Sequence, residues 1–184
     1  MRVWLKFILA LIVAAAAVML FRSLAFTVYT VGGDGLEPAL LKGDRVMVNR
    51  WSYGLRTGGM NGLFGYGRIC AAPVETGDLV AFDSPADSSG GVFVCRCAAL
   101  PGDTVRLDSG SVVVPGRKAT CAAEDYYWME ALGRSNPADS RHFGPVPESR
   151  IIGRVCLIVY SHDDTMPFYE GYRSDRTLLI PAAR

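Results

Sequence analysis

The sequence predicts a mainly β domain that follows a single N-terminal transmembrane helix. The first observation is an uncharged apolar run at residues 7–21, in a chain whose 50% hydrophobic content is high for a soluble domain. The second is that the chain from Thr27 onward consists of short strand-like runs separated by Gly and Pro, with no long 3.6-residue period. We therefore expect a cytoplasmic start and anchor at residues 1–26 and an exported domain at residues 27–184.

The apolar run is short for a bilayer on its own. A helix of this length rises only about 22 Å, whereas the hydrocarbon core is about 30 Å thick. Extension to residues 3–26 gives enough length if Lys6 and Arg22 extend toward the head groups. Trp4 and Phe26 would then lie at the two membrane interfaces.

The flanking residues bear on whether this segment stays attached. Positive charge at Arg2 and Lys6 precedes the run and favours a cytoplasmic N-terminus. The alternative is a cleaved secretory signal peptide, but Arg22 and Ser23 follow the run in place of a small-residue cleavage pattern. We expect a single-pass protein of the inner (plasma) membrane, in contact with membrane lipid, with its domain on the periplasmic or extracellular side.

The exported part shows several strand patterns. Val46 and Val48 alternate with polar or flexible neighbours, and an Asp-Ser-Gly turn at residues 108–110 indicates a hairpin. Further strand-like runs lie at residues 79–82, 91–99, 104–107, 111–114 and 150–160. These runs predict a partly open, barrel-like β-domain.

A Gly-rich segment at residues 51–66 carries many aromatic side chains, including Trp51, Phe64 and Tyr66. One interpretation is a loop that covers the core. The other is an aromatic surface at the membrane interface.

Charge and cysteine content argue against a nucleic-acid-binding protein and against a metalloprotein. A net charge of +1 gives no basis for nucleic-acid binding, and the five cysteines show no zinc-site spacing, so we expect no metal or other cofactor. Cys95 and Cys97 lie two apart in a strand pattern and share a face. They are either small buried side chains or partners of Cys70 or Cys121.

Four segments resemble the signal peptidase I family. Residues 33–40 read GDGLEPAL, where that family has a Ser-x-Ser-Met-x-Pro box, and a Gly-Asp turn with a Val-rich strand follows. The other matching segments are residues 77–82 (GDLVAF), 92–103 (VFVCRCAALPGD) and 136–144 (NPADSRHFG). The four occur in the family's order behind an N-terminal anchor and cover most of the chain.

The resemblance implies a particular chemistry. Signal peptidase I cleaves signal peptides from exported proteins with a Ser–Lys dyad, in which a desolvated, neutral lysine takes the proton of the serine hydroxyl. A second serine and a backbone N–H stabilise the oxyanion.

Carried over residue by residue, the catalytic groups are replaced. The nucleophile position is Gly35, the general-base position is Cys95, the oxyanion-serine position is Gly33, and the lysine-orienting serine position is Pro137. The scaffold residues retained near the site are Pro38, Pro101, Gly102, Asp103, Asp139, Ser140 and Arg141.

Other side chains offer no clear substitute. The Cys95 thiol has no mapped base beside it and stays protonated in apolar surroundings. Asp34 is expected to cap a turn and His142 to lie at the surface. Asp139 and Arg141 are expected to form an ion pair that braces a loop.

We therefore expect a catalytically inactive relative with a peptide-binding or complex-assembly role on the exported side. Signal peptides, or an exported or membrane protein, would be its partners. The alternatives are an active signal peptidase I with unusual residues and a purely structural subunit of a membrane complex.

Overall fold

A computed structural model of the chain describes residues 2–32, 36–57, 66–84, 91–107, 110–131, 139–163, 165–167 and 169–181. It contains one long helix, α1 (Arg2–Ala25), followed directly by a β-rich region. The strands are β1 (Phe26–Thr30), β2 (Asp44–Asn49), β3 (Leu55–Thr57), β4 (Gly67–Ile69), β5 (Leu79–Asp83), β6 (Val92–Ala99), β7 (Thr104–Leu107), β8 (Gly110–Val113), β9 (Tyr126–Glu130), β10 (Val146–Pro147) and β11 (Ile151–Ser161). A short helix, α2 (Ser140–Phe143), precedes β10, and single 3-10 turns span Glu148–Arg150 and Ser174–Arg176.

Seven of the strands form one curled, antiparallel sheet in the order β1-β2-β11-β5-β6-β9-β10. The long strand β11 pairs with β2 on one side and with β5 on the other, and register shifts interrupt both pairings. β1 and β10 are the two ends of this order, so the sheet is open. Separate two-stranded pairs are formed by β3 with β4 and by β7 with β8.

Both faces of the large sheet are covered by apolar side chains, because residues alternate between the faces along each strand. We call the first group the thiol-side core; it comprises Tyr53, Val74, Val80, Phe82, Cys95, Cys97, Tyr127, Met129, Val146 and Ile151. The second group, the turn-side core, comprises Leu36, Leu40, Val46, Val48, Leu79, Ala81, Ile152, Val155 and Ile158. The segment that precedes β2 therefore packs on the face opposite to the thiols of β6.

Three Gly-Asp turns have the same hydrogen bonds. Asp44, Asp78 and Asp103 each accept from the backbone N–H of the residue three positions earlier, with N···O distances of 2.9, 3.3 and 2.9 Å. Each preceding glycine has a positive φ between 87° and 95°, a conformation that side chains with a Cβ rarely adopt. At Gly43 the space is also closed, since a Cβ would lie 1.9 Å from the His162 carbonyl oxygen.

The structure confirms a mainly β domain and the strand runs expected from the sequence, including the hairpin formed by β7 and β8. Residues of the Gly-rich segment at 51–66 differ in burial: Tyr53 lies in the thiol-side core and Trp51 is exposed. Phe64 lies outside the described residues. The side chains described in α1, from Trp4 to Met19, are exposed.

Within the part of the chain that the structure describes, no helix has both the length and the apolar character needed to cross a membrane. The transmembrane anchor expected from the sequence stays a prediction.

Candidate active-site region

The first half of β6 carries Cys95, the residue that the sequence resemblance assigns to the general-base position. Cys95 pairs in register with Val80 of β5, and its side chain is only 1% exposed in the thiol-side core. Cys97 is fully buried in the same core, as expected for residues two apart on a strand. The cysteines are not joined in disulfides.

The surroundings of Cys95 disfavour a thiolate. Burial raises the pKa of the thiol to about 12, and the nearby Asp139 carboxylate contributes in the same direction, whereas Arg141 opposes it. The thiol is therefore protonated at neutral pH, and the thiolate is the form that attacks carbonyl carbons.

Asp139 is the N-cap of α2 and is completely buried. Its Oδ1 caps the helix by accepting from the Arg141 N–H at 3.0 Å, and its Oδ2 accepts from Arg141 Nε at 2.7 Å. Arg141 also donates to the carbonyl oxygen of Ala131 at 3.3 Å, which connects the pair to the end of β9. The ion pair expected from the sequence is present, and it holds α2 against β9.

Ser140 and His142, on either side of Arg141 in the chain, also make contacts within the fold. Ser140 is buried, and its Oγ accepts from the Met129 N–H at 2.9 Å, which fixes α2 to β9. His142 has a side chain that is 55% exposed, and its Nδ1 lies 3.2 Å from Asp139 Oδ1.

The segment that follows the expected nucleophile position, Gly35, packs on the other face of β6. Gly33, Asp34 and Gly35 lie outside the described residues, and so does Pro137. Leu36, the first residue described after Gly35, is buried in the turn-side core, against which Val92 and Val94 of β6 pack. The thiol of Cys95 points into the opposite core, away from Leu36.

Among the described residues, β9 pairs with only part of β6. β9 pairs with β6 only from Arg96 onward, where Arg96 lies opposite Glu130 and Cys97 opposite Met129. The backbone N–H and C=O of Cys97 bond to Asp78 and Gly77, on the side of β5. Because backbone groups alternate between the two edges of a strand, those of Val92 and Val94 point to the opposite edge of β6, where β9 pairs farther along. Among the described residues, no strand pairs with that edge over Val92–Cys95.

Comparison with known proteins identifies the family of the chain. Residues 4–132 match the family described as signal peptidase, peptidase S26. The chain belongs to this family. It is 34% identical over 99 residues to mitochondrial inner membrane protease subunit 1 of Xenopus tropicalis, an alignment that covers 53% of the chain and 57% of that protein.

Two bacterial relatives align over more of the chain. It is 25% identical over 174 residues to the probable signal peptidase I-2 of Synechocystis, covering 84% of the chain and 72% of that protein. It is 24% identical over 186 aligned positions to signal peptidase IB of Staphylococcus aureus, covering 83% and 87%.

The residues that the sequence resemblance assigns to the retained scaffold lie in three places in the fold. Asp139 and Arg141 lie close enough to Cys95 to influence its pKa. Pro101, Gly102 and Asp103 form the turn that follows β6, at the end of the strand far from Cys95. Pro38 is exposed in the turn before β2, and its peptide bond with Glu37 is cis.

The aromatic residues expected at the membrane interface occupy different environments. Phe26 and Trp51 are 40% and 46% exposed and lie at the same end of the sheet, because Phe26 pairs with Asn49 two residues before Trp51. Trp4 is exposed on α1. Tyr66 is half-buried, accepts from Arg68 Nε at 2.6 Å and donates to the Glu148 carbonyl oxygen at 3.3 Å.

Sequence reasoning missed two buried polar networks that support this region. Tyr53 donates to Asp78 Oδ2 at 2.7 Å, and Arg154 pairs with Asp78 Oδ1 at 3.1 Å. The Arg68 side chain is 3% exposed and donates to the carbonyl oxygens of Glu148 and Ile151 at 2.9 and 2.7 Å. The Gly-Asp motif could have indicated Asp78, but no local pattern marks Arg68.

Proposed function

We propose that this S26 family member is not a peptidase but a membrane-anchored protein that binds extended peptides on the exported side. The main support for this proposal is the buried, protonated thiol of Cys95. At the position of the general base, the chain has a buried thiol whose pKa is raised to about 12 in place of an amine.

The remaining groups of the region do not compensate for this replacement. Gly35 has no hydroxyl to attack a scissile carbonyl. The Asp139 carboxylate already accepts from Arg141 and contacts His142, so both of its oxygens are engaged. Hydrolysis needs a nucleophile and a base within hydrogen-bond reach of each other, and the hydrogen bonds described around Cys95 and Asp139 include no such pair.

Peptide binding is supported by the edge of β6 over Val92 and Val94, with which no described strand pairs. An extended peptide that added a strand there would satisfy the backbone groups of Val92 and Val94, and Leu36 would flank it on the turn-side face. This mode takes its affinity from backbone hydrogen bonds and needs no catalytic side chain. Signal peptides, or extended segments of an exported or membrane protein, have the required chemistry.

Anchoring through α1 places this edge at a membrane. Support comes from the uncharged run at residues 7–21, the exposure of the described α1 side chains, and the direct continuation of α1 into β1. Phe26 and Trp51 lie at the α1 end of the sheet, where an interface would be met. The relative from Xenopus tropicalis is by name a subunit of an inner membrane protease, which supports assembly of this chain with a partner protein.

The test uses the full chain in detergent or lipid nanodiscs. Fluorescently labelled signal-peptide segments are titrated for binding, and mass spectrometry of the same samples measures cleavage. We expect saturable binding without cleavage above the buffer rate. Methylation of single peptide amides should weaken binding at alternate positions only, because a strand directs every second N–H toward β6. Cleavage, or binding that is insensitive to methylation at every position, would contradict the proposal.

A further inference from the structure

Three consecutive large apolar side chains are exposed in the segment that follows the second 3-10 turn. Leu178, Leu179 and Ile180 are 67%, 41% and 75% exposed, and residues 177–181 carry no charged side chain. Single exposed apolar side chains are ordinary on protein surfaces, but a contiguous group of them marks a contact with another protein or with a membrane. We call these three residues the 178–180 segment.

The segment is held in place by β11. Leu179 forms an antiparallel bridge with Ile158, whose N–H donates to the Leu179 carbonyl oxygen at 2.8 Å, and the Leu178 N–H donates to the Val159 carbonyl oxygen at 3.4 Å. Because the pairing is antiparallel, each residue after Leu179 lies beside an earlier part of β11. The chain therefore runs from Leu179 toward the beginning of β11.

That end of the sheet is the one that α1 joins. Arg154 of β11 lies opposite Asn49 of β2, and Asn49 lies opposite Phe26, the first residue after α1. Ile180 lines a pocket of about 370 Å³ together with Asn49 and Arg154, which places it at this end. Asp78, the acidic residue of that pocket, is 6% exposed and pairs with Arg154 at 3.1 Å.

The surface at this end has the composition of a membrane interface. Phe26 and Trp51 are 40% and 46% exposed, and the Trp51 N–H donates to Asn49 Oδ1 at 2.9 Å, which places it beside the pocket. Arg50, whose N–H donates to the Ala25 carbonyl oxygen at 2.9 Å, adds a basic residue next to the last residue of α1. Aromatic side chains are enriched at membrane interfaces, aliphatic side chains are buried there, and basic residues are attracted to anionic head groups.

We propose that the 178–180 segment inserts its side chains into the membrane interface and so forms a second attachment of the β-domain, beside the end of α1. The inference rests on the proposed membrane anchoring through α1. The segment lies three strand spacings from β1, about 14 Å across the sheet, so the two contacts together hold the domain at one orientation to the bilayer. Lipid is the partner that the position favours, because an anchored α1 brings the bilayer to this end of the sheet in every copy of the chain.

The test places a photoreactive benzoylphenylalanine at one position at a time in the full chain, reconstituted in liposomes. The positions are Ile180, Val13 of α1 and Tyr169, which is 80% exposed and lies beyond the other end of β11. Mass spectrometry identifies what each probe has attached to after irradiation. We expect lipid adducts from positions 13 and 180 and only background labelling from position 169. All three side chains are exposed, so the substitutions should leave the fold intact, which thermal melts check.

A charged substitution gives a second measurement. With the probe at Leu178, I180D should reduce the lipid adduct to background, because a carboxylate resists transfer into an apolar environment. Y169D is the matched control and should leave the adduct from position 178 unchanged.

The outcomes separate this inference from the anchoring on which it rests. Lipid adducts from Val13 with none from Ile180 would leave the anchoring intact and show that the second attachment is wrong. Equal lipid labelling at Tyr169 would also contradict it, and so would an adduct from Ile180 to protein in place of lipid, which would identify a contact with a second copy of the chain. If Val13 forms no lipid adduct, the anchoring is wrong and this inference with it.

Discussion

Arg176 reaches back 132 residues along the chain to Asp44, where its Nη2 donates to Oδ2 at 2.8 Å. The same Nη2 lies 2.9 Å from the carbonyl oxygen of Ala39. Asp44 is fully buried and the Arg176 side chain is 13% exposed. The segment around Arg176 therefore fixes the turn between Leu36 and β2.

Loss of this contact should destabilise the domain. Removal of one partner from a buried ion pair leaves the other charge unpaired, so R176A should lower the free energy of unfolding by about 3 kcal/mol near pH 7. Urea unfolding, followed by tryptophan fluorescence, measures the change. R106A, on the exposed side of β7, should change stability by no more than about 0.5 kcal/mol.

The effect of R176A should depend on pH. Burial alone would raise the pKa of Asp44, but hydrogen bonds from Arg176, Ser161 and the Leu41 N–H outweigh burial and hold the pKa below the ordinary 3.8. A carboxyl whose folded pKa is depressed stabilises the fold above its unfolded pKa and loses that contribution as pH falls through the folded value. The difference between wild type and R176A should therefore shrink below about pH 4. An equal difference at pH 7 and pH 3 would show that the carboxylate is not its source.

The thiols should differ sharply in reactivity. Burial raises the pKa of Cys95 and of Cys97 to about 12, whereas Cys70 and Cys121 are exposed. Brief treatment of the folded protein with iodoacetamide at pH 8 should modify Cys70 and Cys121 but neither thiol of β6. Peptide mapping by mass spectrometry reads the sites, and protein unfolded in urea serves as the control in which all five react. Modification of Cys95 as fast as Cys121 would mean that the thiol is accessible and a possible nucleophile.

Membrane topology follows from the charge that precedes the apolar run. With Arg2 and Lys6 held in the cytoplasm, a reporter fused after Arg184 should be active only if it functions outside the cytoplasm. The same fusion without residues 2–25 should reverse this result, because nothing else in the sequence predicts export. A reporter restricted to the cytoplasm that works on the full chain would contradict the topology.

Local patterns predicted much of the fold and little of what holds it together. Alternation identified β2, and β-rich runs identified β5, β6 and β11, because each of these strands buries one or both faces. The bonds between Arg176 and Asp44 and between Arg68 and β11 join residues far apart in sequence, and no periodicity indicates such partners. The burial of Cys95 beside Asp139 depends on α2 packing against β9, which also lies beyond local pattern.

Restoration of the family's dyad tests how far the site has changed. We expect G35S combined with C95K to give little or no peptide cleavage. Gly33 supplies no side-chain donor to an oxyanion, and loss of one such donor costs about 3 kcal/mol, or about a hundredfold in rate. Pro137 has no hydroxyl or backbone N–H with which to orient the new lysine.

The surroundings of position 95 add a second obstacle. The apolar core would favour a neutral lysine, as the reaction requires, but the adjacent Asp139 carboxylate would favour the charged ammonium. Further addition of G33S and P137S should therefore be required for substantial turnover. Cleavage rates of the double and quadruple variants, with thermal melts to confirm folding, measure the difference. A double variant as fast as the quadruple one would mean that the scaffold alone positions the dyad, and that two substitutions separate this chain from an active peptidase.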